Sequence, residues 1–101
     1  MLNFEKHAHL GKCDVCGKET LVAVVASSMG PVSLSYCEDC LGAGAEPYEF
    51  MASYISCAGN WPEDISPEAQ TRVRSILSYL GKTEEEFSRD VASVADQYGV
   101  F

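Results

Sequence analysis

The chain has 101 residues, 47% of them hydrophobic and 22% charged, with five cysteines and a formal charge of −8. That length allows one domain, or a small metal-held module beside a modest helical part, and the composition is that of a folded chain rather than a disordered one. No run of about eighteen apolar residues is present to cross a membrane, and residues 1–7 lack the apolar core of a secretory signal, so the chain reads as cytoplasmic.

The charge is unevenly spread. Residues 1–45 carry three basic and five acidic side chains, whereas residues 46–101 carry four basic and ten acidic ones. Nucleic-acid binding draws much of its affinity from cations that displace phosphate counterions, and this chain is short of them. The charge therefore counts against a DNA or RNA partner.

Residues 1–12 show little periodicity; His7 and His9 could serve as spare ligands but read as surface or packing residues. Cys13-Asp14-Val15-Cys16 and Cys37-Glu38-Asp39-Cys40 form two C-x2-C pairs, twenty residues apart. A two-residue gap turns both thiolates of a pair toward one ion, and two such knuckles supply the four soft ligands of a tetrahedral Zn²⁺. The spacing lies within the window of structural zinc sites, and a disulfide framework would need a secreted context. A thioredoxin-like role for the first pair alone is the weaker explanation, since the second pair competes with it. Four thiolates close the coordination shell and leave no vacancy for water, so the ion is expected to hold the fold rather than to catalyse.

Gly17, behind the second cysteine, is expected to let the backbone turn so that amide N–H groups face the sulfurs. Thr20 to Ala26 is rich in β-branched residues and reads as a strand. Ser27-Ser28-Met29-Gly30-Pro31 is a turn, and Val32 to Tyr36 alternates apolar with polar like a half-buried returning strand. Such a hairpin carries the second knuckle back beside the first.

Beyond Cys40 the stretch Leu41-Gly42-Ala43-Gly44-Ala45 is loose, and Glu46-Pro47 reads as the start of a helix reaching Ala58, with Tyr48, Met51 and Ile55 on its apolar face and Gly59 as its stop. Knuckle, hairpin, knuckle and helix in that order resemble the treble-clef group of zinc modules over residues 13–58. The resemblance implies that Cys13, Cys16, Cys37 and Cys40 are the ligands, the last two at the start of a helix. Gly42 and Gly44 leave two alternatives open: a short turn with a fresh helix at Pro47, or a plain zinc ribbon followed by an independent helix. Cys57, on the last turn of that helix, reads as a small buried apolar residue.

Residues 60–64 form a linker containing Trp61. Ser66 caps the next helix with Pro67 at its first position, and Ala69, Val73, Ile76, Leu77 and Leu80 form its stripe before Gly81. Thr83 and Glu86 make a capping box for a last helix that buries Phe87, Val91, Val94, Ala95 and Tyr98 and ends at Gly99. These two helices are expected to form an antiparallel hairpin. The fold class is thus α+β: a zinc-bound β-hairpin module over residues 1–45, then an acidic three-helix part over residues 46–101 packed on it.

No enzyme constellation is visible: there is no Ser/His pair, glycine-rich phosphate loop or carboxylate-rich metal site. A helix-turn-helix use of the last two helices would push Glu84, Glu85, Glu86, Asp90 and Asp96 against DNA and is rejected. Glu84, Glu85 and Glu86 also serve the positive end of their own helix. Together with Glu63 and Asp64, and with Glu46 and Glu49, they are the candidates for an acidic face that meets a basic protein. Trp61 is the candidate anchor of that interface, or else a plug between helices.

In size and style the chain is similar to small accessory proteins of bacteria and their phages. That resemblance implies an adaptor or an inhibitor, for example one that blocks a host defence or a nucleic-acid enzyme. The alternatives are a zinc-ribbon nucleic-acid-binding or transcription-related regulator, acting through Lys6, Lys12 and Lys18, and a small enzyme of unrecognised type. The stripe of the last helix could also be shared with a second copy, giving a homodimer.

Overall fold

The computed structural model describes residues 4–98, the side chain of residue 98 excepted. The chain divides into two compact units, Met1–Pro47 and Tyr48–Phe101. The side chain of Glu46 is bonded to Ser27, Ser28 and Tyr36, all within the first unit.

The first unit begins with a single helical turn, α1 (Phe4–His7), followed by β1 (His9–Lys12), β2 (Glu19–Ala26), β3 (Ser33–Cys37) and α2 (Glu38–Ala43). The expected hairpin is β2 with β3, and β1 adds a third antiparallel strand on the free edge of β2. Strand β1 has only four residues, one of them glycine, so no alternation announces it. The backbone ladder with β2 forms it instead. Val22 lies opposite both His9 and Cys37, and Ala23 lies opposite Tyr36. Adjacent strand residues face opposite sides of a sheet, and both Val22 and Ala23 are fully buried, so the sheet is covered on both faces at its centre. The β2–β3 turn closes through the Ser27 amide donating to the Val32 carbonyl at 2.8 Å, and the Met29 amide donates to Ser27 Oγ at 3.1 Å.

The stretch after Cys40 is not the loose one expected. Helix α2 starts at Glu38, with Glu38 and Asp39 in its first turn against the positive helix end, and it passes through Gly42. Gly44, at φ +67°, ends it and donates to the carbonyls of Cys40 and Leu41. A fresh helix then begins at Tyr48.

Glu46 does not belong to an acidic face. It is 3% exposed, and its carboxylate accepts from Ser27 Oγ at 3.0 Å, Ser28 Oγ at 2.8 Å and Tyr36 Oη at 2.6 Å. One buried charge thus ties the segment after α2 to the β2–β3 turn and to β3. Burial, and then the bond to Glu46, push the Tyr36 hydroxyl well above the usual phenol range.

The second unit contains α3 (Tyr48–Ala58), α4 (Pro67–Leu80) and α5 (Glu84–Tyr98). The two ends of α4 and the start of α5 rest on chemistry visible in the sequence. Ser66 Oγ accepts from the Ala69 amide at 3.3 Å, Gly81 at φ +73° ends α4, and Thr83 Oγ1 accepts from the Glu86 amide at 3.1 Å. Met51, Ala52 and Ile55 of α3, Val73, Ile76 and Leu77 of α4, and Phe87 and Val91 of α5 are buried. Val94 and Ala95 are half-buried, while the side chain of Tyr98 and the stop at Gly99 lie outside the described residues.

The expected α4–α5 hairpin packing is not what forms. Helix α5 packs chiefly on α3, with Tyr48 and Phe87 edge to face at 6.0 Å, and its contact with α4 is slight. Trp61 touches both helices. It is 6% exposed, meets Phe87 edge-on at 5.2 Å, and has the Arg74 guanidinium 5.5 Å from its ring, so the indole stands as a wedge between α4 and α5. No helix among the described residues is long and apolar enough to cross a membrane.

Candidate metal centre

The first knuckle is a tight turn closed by its own backbone. The Cys13 amide donates to the Lys18 carbonyl at 2.9 Å and the Gly17 amide to the Cys13 carbonyl at 2.9 Å, with Gly17 at φ +76° as expected for that position. Asp14 joins this turn to the sheet: its amide donates to the Ser35 carbonyl at 2.8 Å and its Oδ2 accepts from the Ser35 amide at 2.7 Å. The second knuckle is built differently. Cys37 ends β3 and occupies the N-cap of α2 in extended conformation, and Cys40 follows in the first turn of that helix.

These elements bring the four Sγ atoms of Cys13, Cys16, Cys37 and Cys40 within 4.8 Å of one another. Cys16 and Cys37 are 3.9 Å apart at sulfur. Four sulfurs around one ion at about 2.3 Å would form a tetrahedron with edges of about 3.8 Å, so the donor set fits a single ion without rearrangement of the backbone. All four are free thiols. Cys13, Cys37 and Cys40 are buried and Cys16 is exposed, which leaves one edge of the cluster open to solvent.

Backbone dipoles in the cluster favour thiolate at Cys13. Burial alone would push that thiol up, but amides of Cys16, Cys37 and Val15 donate to the sulfur and together lower it to about 7. The Cys37 amide reaches Cys13 Sγ at 3.3 Å, a bond from one knuckle to the other. At Cys16 the Lys18 amide lowers the thiol, while burial and the neighbouring sulfurs of Cys13 and Cys37 raise it, and the net direction is upward. Sulfurs this close compete for protons when no cation lies between them, which is the electrostatic situation a divalent ion relieves.

Other candidate residues lie elsewhere. His7 and His9 are exposed and stand outside the four-sulfur cluster. Cys57, expected to be buried, is exposed on the last turn of α3; the buried residue beside it is Ser56, whose Oγ donates to the Ser53 carbonyl at 2.7 Å. Trp61 is in the interior of the second unit rather than on a loop surface. Glu84 pairs with Arg74 at 2.8 Å, Glu86 lies 3.9 Å from Lys82, and Glu85 is exposed. Glu63 and Asp64 are exposed in the segment before α4, where Asp64 Oδ2 accepts from the Asn60 amide at 2.9 Å. They line one cavity with residues of α5 that does not include Glu84, Glu85 or Glu86. Sequence reasoning placed Glu46 on an acidic face and missed its buried role, because nothing in the spacing of Ser27, Ser28, Tyr36 and Glu46 shows that they meet.

No family model, no curated protein and no solved structure matches this chain. What the fold and site define is therefore a class by chemistry: a mixed α+β chain whose four-cysteine cluster could hold one metal ion.

Proposed function

We propose that the cluster holds one structural Zn²⁺ and that the chain is a small binding module, an adaptor or inhibitor whose acidic second unit meets a basic protein partner. The convergence of four thiols on a space that fits one ion carries the first part. Tetrahedral all-sulfur ligation favours zinc among the common divalent ions. Cys37 capping α2, with Cys40 in its first turn, supports a treble-clef-like site over a plain ribbon. The reading gives the ion no catalytic role, since four thiolates leave no position for water.

Charge supports the second part. The second unit carries nine acidic side chains against four basic ones, and two of the four basic groups are engaged by Glu84 and Glu86. A field of that sign speeds encounter with a basic surface, including one built to hold DNA or RNA, and it repels nucleic acid itself. Affinity capture at low and at high salt, with identification of what is retained, tests this. The expected result is a basic protein held by the native chain, and lost in salt and on charge reversal at Glu63, Asp64 and Glu85. Retention of nucleic acid, or of a partner indifferent to both changes, would contradict the proposal.

A further inference from the structure

The second unit contains a cavity of about 350 Å³ whose lining combines two kinds of surface. Buried Trp61 and Val91 and the small Ala92 and Ala95 give it an apolar wall. Glu63 and Asp64, both exposed, line the same space. Its size lies at the lower end of ligand pockets, room for a side chain or two rather than for a large substrate.

The wall that carries the two carboxylates is fixed in advance. The Asp64 amide donates to the Asn60 carbonyl at 3.0 Å, and Gln70 Nε2 donates to the carbonyls of Pro62 and Ile65 at 3.1 and 2.8 Å. Gly59, at φ +145°, has no room for a side chain: a Cβ there would stand 2.5 Å from the Cβ of Asp64. The acids of this wall also differ from those that begin α5. Glu84 and Glu86 have cationic neighbours, whereas Glu63 and Asp64 form no ion pair among the described residues. Arg74, the cation over Trp61, is itself neutralised by Glu84.

An apolar wall next to unpaired carboxylates matches one kind of side chain: a long aliphatic stem ending in a cation. We propose that the cavity takes an arginine side chain from a basic segment of the partner, its stem against Val91, Ala92 and Ala95 and its guanidinium at Glu63 and Asp64. Arginine is favoured over lysine because its planar fork binds carboxylates at two points and is less strongly hydrated. This rests on the reading of the second unit as a surface for a basic protein, and it gives that surface a centre.

The test uses the full zinc-loaded chain and a fluorescent twelve-residue peptide of alternating arginine and leucine, with a lysine-for-arginine counterpart. Binding is followed by anisotropy and by amide shifts. The arginine peptide should bind more tightly, with shifts centred on Gly59, Trp61, Ala92 and Ala95. Ala92→Leu, which fills the cavity from an exposed helix position, should weaken binding about tenfold, and Glu63→Lys about fivefold. Glu85→Lys, outside the cavity on the same helix, should change it less than about twofold. Equal loss from both charge reversals with Ala92→Leu inert would overturn the cavity while leaving a diffuse acidic surface standing. No binding of either peptide at low salt would overturn both.

Discussion

In the first unit the largest fully buried side chains are Val22, Cys13 and Cys40, whereas the second unit buries Phe87, Met51, Ile55, Leu77 and Val73. Fully burying a large apolar side chain contributes about 1.5–3 kcal/mol, so the second unit has an ordinary hydrocarbon core and the first has little of one. What the first unit has instead is polar chemistry drawn inward. One instance is the sulfur cluster, and the other is the carboxylate of Glu46 under three hydroxyls. A module of fewer than fifty residues commonly needs such a staple. The two units should therefore fail under different insults.

The largest expected asymmetry comes from the sulfurs. Cys40→Ser, or a strong chelator, should remove most of the first unit's stability, since structural zinc contributes on the order of 10 kcal/mol. Amide shifts of β1, β2 and β3 should collapse while those of α4 and α5 hold their positions. Phe87→Ala should do the reverse. Phe87 is fully buried against Trp61 and Tyr48, and its truncation should cost the second unit about 3–5 kcal/mol in a denaturant melt, with metal content unchanged.

Smaller effects sharpen the comparison. Glu46→Ala leaves the Tyr36 hydroxyl and two serines without their acceptor, and should cost the first unit about 1–3 kcal/mol by the same melt. Alkali should act gradually on both units. The Tyr36 hydroxyl is raised by burial and by Glu46, and that of Tyr48 by burial and by its bond to Asp90. The folded chain keeps protons that the unfolded chain gives up above about pH 10. Stability from this source is complete below that pH and falls as pH rises, so the melting temperature should hold up to about pH 10 and decline above it. Tyr36→Phe and Tyr48→Phe together should flatten the decline.

The parts of this division that were legible in the sequence are those set by local chemistry. The C-x2-C pairs announced the cluster, and Ser66, Gly81 and Thr83 marked the ends of α4 and the start of α5. The parts that were not legible depend on partners distant along the chain. Strand β1 forms only because β2 offers it an edge. Helix α2 begins directly behind Cys37 with two acids in its first turn and passes through Gly42, so the first glycine did not mark its end, whereas Gly44 did. Cys57 and Ser56 exchange the burial that their residue types suggest, since the rotation of α3 and not polarity decides which side chain faces inward. Trp61, between helices in sequence, read as either a surface anchor or a plug between helices, and only its burial against Phe87 and Arg74 decides for the plug.

Metal analysis of the purified full chain tests the account most directly. It should carry one zinc per chain, reduced to a trace in Cys40→Ser, and the zinc-free chain should lose the ordered signals of the sheet. A native chain without zinc whose sheet signals stay fully dispersed would contradict it, because the first unit would then be standing on a core too small to hold it.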